Sequence, residues 1–126
     1  MALTASSSSC RILYTDDTEF YRISVPAMLT KLGYTVLSVE SAKRALEIIA
    51  KDQNFFSYLT DYHMPKMNGA SLIRKLQESG INGDFVLHTS DSYDDVAEVI
   101  DSLKIRYLQK PATREQFIQL YGRVNQ

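Results

Sequence analysis

The chain of 126 residues contains no tryptophan, one cysteine and only three prolines. A single cysteine, Cys10, excludes an internal disulfide framework and fits a reducing compartment. No apolar run approaches the roughly 20 residues that a membrane-spanning helix needs. The formal net charge of −1 gives no electrostatic reason to expect nucleic acid or an anionic membrane as a partner. With 44% hydrophobic residues, the composition is that of an ordinary globular domain.

The first nine residues are uncharged and rich in serine. They lack the basic and apolar regions of a signal peptide. We therefore expect residues 1–9 to be a flexible polar tail and residues 10–126 to form one domain. We also expect the protein to be cytoplasmic, with no membrane partner.

Strand-like and helix-like patterns alternate along the chain, which predicts five βα units in a parallel, doubly wound sheet. The predicted strands are Arg11–Thr15, Tyr34–Val39, a run that ends at Asp61, Asp84–Thr89 and Ile105–Gln109. The predicted helices run from Thr18 to Leu32, from Ser41 through Ile49, from Ala70 to Glu78, through the stripe Val96, Val99, Ile100 and Leu103, and through Phe117, Leu120, Tyr121 and Val124. Pro26 interrupts the first helix pattern, at a cost of about 3 kcal/mol unless the helix kinks or starts later.

Chemically useful side chains follow four of the five predicted strands. Asp16 and Asp17 come after the first strand, Asp61 ends the third, Thr89 ends the fourth and Lys110 follows the fifth. Because parallel strands end at one edge of the sheet, we expect these residues to converge in the ligand crevice there. Three neighbouring carboxylates repel one another unless a cation neutralises them, and a hard ion such as Mg²⁺ prefers oxygen ligands. A cation beside a carboxylate nucleophile favours phosphate chemistry.

Four segments in this order resemble the receiver domains of two-component response regulators. They are Leu13–Asp17, Asp61–Gly69, Leu87–Ser90 and Leu108–Pro111. The resemblance covers about residues 10 to 125, and it implies a flavodoxin-like (βα)₅ fold with strand order 2-1-3-4-5.

The resemblance also implies roles for the site residues. Asp61 is the expected phosphoacceptor, which attacks a phosphohistidine of a histidine kinase or phosphotransfer protein. Asp17 is the expected direct ligand of Mg²⁺, Asp16 a ligand through water and the His63 backbone carbonyl a further ligand. Lys110 is expected to pair with Asp61 or its phosphate. The resemblance implies that the protein catalyses only its own phosphorylation and dephosphorylation and is not otherwise an enzyme.

The same resemblance implies a conformational switch. Thr89 is expected to meet the phosphoryl group and Tyr107 to move inward with it. His63 and Asp91 are expected to tune the phosphate lifetime, and the bond from Lys110 to Pro111 to be cis. Output is expected through the face of the fourth helix, fifth strand and fifth helix, from a monomer or weak dimer to a downstream protein.

Several residues have simpler interpretations. His63 could be an exposed bystander, Asp91 a helix cap and Tyr107 strand filler, whereas His88 is expected to be a packed or hydrogen-bonded core histidine. Two rival functions also stand beside the receiver. One is a receiver-like binding module that is never phosphorylated. The other is a small Mg²⁺-dependent phosphatase, which would need a second acid just beyond Asp61, where Tyr62 and His63 stand.

The chain departs from the receiver pattern before the fifth strand. Receivers usually have small residues and glycine where this chain has 102–106, Ser-Leu-Lys-Ile-Arg, and the interval from Thr89 to Lys110 is about one residue short. We therefore expect an unusual connection between the fourth helix and the fifth strand.

Overall fold

The computed structural model describes residues 10–124, so the predicted tail at residues 1–9 lies outside the described residues. Strands and helices alternate in the order β1 (Arg11–Thr15), α1 (Glu19–Lys31), β2 (Thr35–Val39), α2 (Ala42–Ile49), β3 (Ser57–Asp61), α3 (Gly69–Glu78), β4 (Asp84–Thr89), α4 (Tyr93–Leu103), β5 (Arg106–Gln109) and α5 (Arg114–Tyr121). All strand pairs are parallel, and the sheet order is β2-β1-β3-β4-β5. The predicted flavodoxin-like, doubly wound fold is confirmed.

A separate hydrophobic core lies on each face of the sheet, because successive strand residues point to opposite faces. In β1, Leu13 joins the core under α2, α3 and α4. Its neighbours Ile12 and Tyr14 join the core under α1 and α5. No helix among residues 10–124 combines the length and apolar character needed to cross a bilayer.

Helix α1 runs from Glu19 to Lys31 with Pro26 inside it, so the later start is not observed. The buried residues Val25 and Leu29 hold the helix against the sheet on both sides of the proline. This packing offsets the one backbone hydrogen bond that a proline removes. Gly33 ends the helix as predicted, at a φ of 102° that favours glycine.

The prediction that Val124 lies on the last helix is wrong. Helix α5 ends at Tyr121, because Gly122 takes a φ of 80° and the helix does not continue beyond it. Val124 still packs against the core of α1 and α5, and its backbone N–H donates to the Leu32 carbonyl at 2.8 Å.

The connection before β5 is unusual, as predicted. Lys104 follows the last residue of α4 and adopts the left-handed conformation, with φ of 57° and ψ of 53°. A left-handed residue at this point turns the chain within one position, so the shortened interval still delivers Lys110 to the end of β5.

Candidate functional site

Three carboxylates meet at the carboxyl edge of the sheet, between the neighbouring strands β1 and β3. Asp16 and Asp17 follow β1 directly, and Asp61 is the last residue of β3. One oxygen from each carboxylate lies within 4.8 Å of the others. Asp16 and Asp61 are buried, whereas Asp17 is exposed. The predicted convergence of these acids is confirmed.

Lys110 reaches the same point from the end of β5. Its side chain is buried, and Nζ lies 2.7 Å from Asp16 Oδ2 and 3.2 Å from Asp61 Oδ1. The ring of Tyr21 covers the ammonium at 4.1 Å. The backbone N–H of Lys110 donates to the Thr89 carbonyl at 2.8 Å, which ties the lysine to the end of β4. The peptide bond from Lys110 to Pro111 is cis, as the resemblance implied.

The Asp61 carboxyl lies in an environment that disfavours its charged form. Burial and the nearby Asp16 carboxylate raise the pKa of Asp61 from 3.8 to about 6, and the Lys110 ammonium opposes that rise. The backbone N–H of Tyr62 donates to Asp61 Oδ1 at 2.9 Å. Asp61 is therefore ionised above pH 6, but its negative charge is only partly compensated.

The start of α3 presses directly against the backbone of Asp61. Gly69 donates its N–H to the Tyr62 carbonyl at 2.8 Å. A Cβ atom at position 69 would lie 2.0 Å from the Asp61 carbonyl oxygen, so only glycine fits this approach. Asn68 caps the helix by accepting a hydrogen bond from the Ser71 N–H at 2.8 Å. The sequence Asn68-Gly69 thus fixes the loop that carries Asp61.

Asp91 connects the other predicted residues. Its Oδ2 accepts a hydrogen bond from the buried Thr89 hydroxyl at 3.1 Å and lies 2.6 Å from His63 Nε2. The Tyr107 hydroxyl donates to the Asp91 backbone carbonyl. Hydrogen bonding from His63 lowers the pKa of Asp91 below its ordinary value. His63 is exposed and paired with Asp91, and whether it has a functional role stays a prediction. The N-cap of α4 is Ser92, so the interpretation of Asp91 as the cap is wrong.

His88 is the core histidine that the sequence predicted. It is fully buried in β4, and its Nδ1 donates to the Leu108 carbonyl at 2.9 Å. Burial lowers the pKa of His88 to about 4, so the ring is neutral at physiological pH.

Two tyrosines belong to the site although sequence reasoning missed them. Tyr14 donates its hydroxyl to Asp16 Oδ2 at 2.6 Å, and Tyr21 covers Lys110. The contact of Tyr14 with Asp16 could have been predicted from the sequence, because residues two positions apart along a strand face the same side. Tyr21 lies on α1, and only the packing of α1 on the sheet brings it to Lys110.

The carboxylates fit a hard divalent cation. Two buried carboxylates and one exposed carboxylate lie near two cations, the Lys110 ammonium and the Arg22 guanidinium, which donates to the Asp16 backbone carbonyl at 3.0 Å. Three negative charges beside two positive ones leave one excess negative charge. Oxygen ligands of this kind suit Mg²⁺. Asp16, Asp17 and Asp61 are the residues that could hold it.

The fold and this edge define a flavodoxin-like α/β domain with an acidic site where the strand order reverses, next to a buried lysine and a threonine. The chain belongs to the response regulator receiver domain family, whose family model matches residues 12–121. It is thus a receiver domain of two-component signalling, a class of signalling switch rather than of classical enzyme.

Curated relatives show the same relationship. The chain is 31% identical over 107 residues to the chemotaxis protein CheY homolog of Campylobacter jejuni, with 82% of each chain covered. It is 40% identical over 68 residues to the rice two-component response regulator ORR7, which covers 54% of this chain and 32% of the relative. The chain spans about a third to a half of the length of several curated plant relatives that it matches.

Solved structures share the fold. Chemotaxis protein CheY4 of Vibrio cholerae superposes with a TM-score of 0.80 at 20% identity, covering 88% of this chain and 94% of that one. The signal receiver domain of an HD domain-containing protein from Pseudomonas fluorescens gives a TM-score of 0.77 at 25% identity, with 86% and 88% covered.

Proposed function

We propose that the protein accepts a phosphoryl group on Asp61 from a phosphohistidine of a histidine kinase or histidine phosphotransfer protein. One Asp61 carboxylate oxygen forms the new bond to phosphorus, the bond from phosphorus to the imidazole nitrogen breaks, and the released imidazole takes up a proton. The observation that carries this proposal is the position of Asp61, 3.2 Å from the buried Lys110 ammonium and within 4.8 Å of Asp16 and Asp17.

The surrounding residues have complementary tasks in this reaction. Asp16, Asp17, Asp61 and the His63 backbone carbonyl would hold Mg²⁺. When bound, this ion supplies the charge neutralisation that lets an anionic donor approach an anionic carboxylate. Lys110, which now lies 2.7 Å from Asp16 Oδ2 and 3.2 Å from Asp61 Oδ1, would turn away from Asp16 to donate to a phosphoryl oxygen on Asp61. Thr89 can offer its hydroxyl once it leaves Asp91.

The signal would pass from the site through Thr89 and Tyr107, which both bond to Asp91. A phosphoryl group on Asp61 would draw the Thr89 hydroxyl and change this arrangement, which shifts an existing equilibrium between two states. The affected surface is the face of α4, β5 and α5. We propose that a downstream protein binds this face, and that the domain acts as a monomer or weak dimer in the cytoplasm.

His63 and Asp91 would set the phosphate lifetime. Their side chains meet at 2.6 Å, with His63 two residues beyond Asp61 and Asp91 bonded to Thr89. A pair in this place can limit the approach of water to an aspartyl phosphate. The phosphatase rival gains no support, because the positions just beyond Asp61 hold Tyr62 and His63 rather than an acid.

Intact mass after incubation with acetyl phosphate tests the proposal. The wild type should gain one phosphoryl group of about 80 Da only when Mg²⁺ is present, and Asp61→Asn should gain none. Asp101→Asn, on the exposed face of α4, is the matched control and should behave as the wild type. A folded wild type that takes no adduct would favour the unphosphorylated binding module. An adduct that survives in Asp61→Asn would refute the acceptor assignment, and sustained turnover of a phosphomonoester would favour the phosphatase.

A further inference from the structure

Asp16 is held by hydrogen bonds from three directions. Its Oδ2 accepts from the Tyr14 hydroxyl at 2.6 Å and from Lys110 Nζ at 2.7 Å. Its Oδ1 accepts from the Thr18 backbone N–H at 2.9 Å. A carboxylate oxygen offers about two acceptor positions, so Oδ2 is fully used and Oδ1 keeps one. With the contacts of residues 10–124 counted, the remaining acceptor position of Asp16 is therefore on Oδ1.

Tyr14 is placed for this contact by the strand. It lies two residues before Asp16, so both side chains face the same side of the sheet. The ring is fully buried and packs near His88, with centroids 6.4 Å apart. A phenol is protonated at neutral pH, and the carboxylate oxygen 2.6 Å away can only accept, so the Tyr14 hydroxyl is the donor.

Lys110, the other partner of Asp16 Oδ2, is shared between two acids. Its Nζ is 2.7 Å from Asp16 Oδ2 and 3.2 Å from Asp61 Oδ1, and the Tyr21 ring covers it at 4.1 Å. In the proposed function, Lys110 turns toward the phosphoryl group on Asp61. The Tyr14 hydroxyl donates its single proton to Asp16, and among residues 10–124 it makes no hydrogen bond to a second acid that would draw it away.

We infer that Tyr14 is a positioning residue of the phosphorylation site, whose hydroxyl keeps the Asp16 carboxylate oriented toward the cation when Lys110 moves to the phosphoryl group. The inference rests on the proposed function of Asp61 and on its cation site. The acids and the lysine alone would not keep the Asp16 carboxylate in place after Lys110 moves. The role is greatest in the phosphorylated state, because Lys110 then no longer anchors Oδ2.

Magnesium affinity in two states tests the inference. The Mg²⁺ dissociation constant of the wild type and of Tyr14→Phe is measured by titration calorimetry, with and without beryllium fluoride as a mimic of the phosphoryl group. The loss of one hydrogen bond to a charged group predicts that Tyr14→Phe weakens Mg²⁺ binding about tenfold with beryllium fluoride. Without it, the expected change is less than about threefold, because Lys110 still holds Oδ2.

Tyr58→Phe is the matched control. Tyr58 is a buried tyrosine of the neighbouring strand β3, and its hydroxyl has no hydrogen-bond partner among residues 10–124. Its removal should leave both Mg²⁺ dissociation constants unchanged. Equal Mg²⁺ affinity of Tyr14→Phe and wild type in both states would overturn the inference while the proposed function stands. A wild type that binds no Mg²⁺ would instead refute the cation site of the proposed function.

A second measurement covers the case in which Tyr14→Phe does not fold. In the wild type, the ¹³Cζ resonance of selectively labelled Tyr14 reports its hydrogen bond to Asp16. Addition of Mg²⁺ with beryllium fluoride should shift this resonance, whereas that of Tyr58 should stay in place. An unmoved Tyr14 resonance under saturating conditions would show that the tyrosine is only part of the core.

Discussion

Asp91 holds the Thr89 hydroxyl that the proposed phosphoryl group on Asp61 requires. The bond from Thr89 Oγ1 to Asp91 Oδ2 measures 3.1 Å, and His63 lies at 2.6 Å from the same oxygen. Thr89 cannot donate its single hydroxyl proton to both acceptors. In the proposed function, Asp91 would therefore compete with the phosphoryl group for Thr89 and stabilise the unphosphorylated state.

Asp91→Ala should raise the affinity for beryllium fluoride about fivefold, because the competing hydrogen bond contributes about 1 kcal/mol. Titration followed by tyrosine fluorescence measures this affinity in a chain without tryptophan. His63→Ala is the control, since it leaves the bond between Thr89 and Asp91 intact, and it should change the affinity less than about twofold. Equal effects of both variants would contradict the role of Asp91.

Asp61 lowers the stability of the folded state at neutral pH in the absence of Mg²⁺. Folding raises the pKa of this carboxyl from 3.8 to about 6. A group with a raised folded-state pKa contributes stability that is fully present below pH 3.8 and is lost as the pH rises through 6. At pH 7 the ionised, buried carboxylate is a cost to the fold.

Asp61→Asn should therefore raise the free energy of unfolding at pH 7 by about 1–2 kcal/mol in the absence of Mg²⁺. Urea unfolding at pH 7 and at pH 3.5 measures the effect, and the difference from wild type should vanish at the lower pH. The exposed Asp101→Asn should change stability by less than about 0.5 kcal/mol at both pH values. An Asp61→Asn variant no more stable than wild type at pH 7 would show that Lys110 compensates the charge fully.

Among the elements, the connection from α4 to β5 departs most from expectation for a receiver. Lys104 takes a left-handed φ of 57° at the helix end, a conformation that suits glycine and strains a residue with a Cβ atom. Ile105 then donates its N–H to the Ile100 carbonyl at 3.2 Å and is buried. The burial of Ile105 and the helix-end hydrogen bond hold Lys104 in this conformation.

Lys104→Gly should raise the free energy of unfolding by about 1 kcal/mol, because glycine adopts the left-handed conformation without steric cost. Lys104→Ala keeps the Cβ atom and should give no such gain, which separates the backbone effect from the loss of the lysine charge. Thermal and urea unfolding measure both variants. Equal stabilisation by glycine and alanine would mean that the side chain rather than the backbone is unfavourable.

The molecule as a whole has two hydrophobic cores, one on each face of a sheet whose central strands are buried on both sides. His88 of β4 lies in this interior, and burial lowers its pKa from 6.5 to about 4. The stability that a neutral His88 contributes is present above pH 6.5 and is lost as the pH falls toward 4. Between pH 4 and 6 this loss opposes the gain from Asp61.

His88→Gln should remove this acid sensitivity. Its free energy of unfolding relative to wild type should improve by about 2 kcal/mol between pH 7.5 and pH 4.5, as measured by urea unfolding at both values. His63→Gln changes the only other histidine, which is exposed, and its difference from wild type should vary by less than about 0.5 kcal/mol. Parallel behaviour of the two variants would contradict the buried, neutral state of His88.

Much of this architecture could be predicted from local pattern. The five strands, the helix stop at Gly33 and the acids at strand ends follow from short-range periodicity and turn residues. The end of the last helix could not be predicted in this way, because the apolar spacing continues to Val124, past Gly122, where the backbone leaves the helix. The exposed pair of His63 and Asp91 was also out of reach, since 28 residues separate its members.

The sequence by itself determined the order of the elements and the chemical groups at the edge of the sheet, because periodicity, caps and strand ends depend on near neighbours. Only the tertiary structure decided which groups meet. Lys110 and Asp16 are 94 residues apart, yet they share an ion pair that Tyr14 completes from β1 and Tyr21 covers from α1. The raised pKa of Asp61 was likewise decided by packing, since burial and the distance between charges are properties of the folded chain.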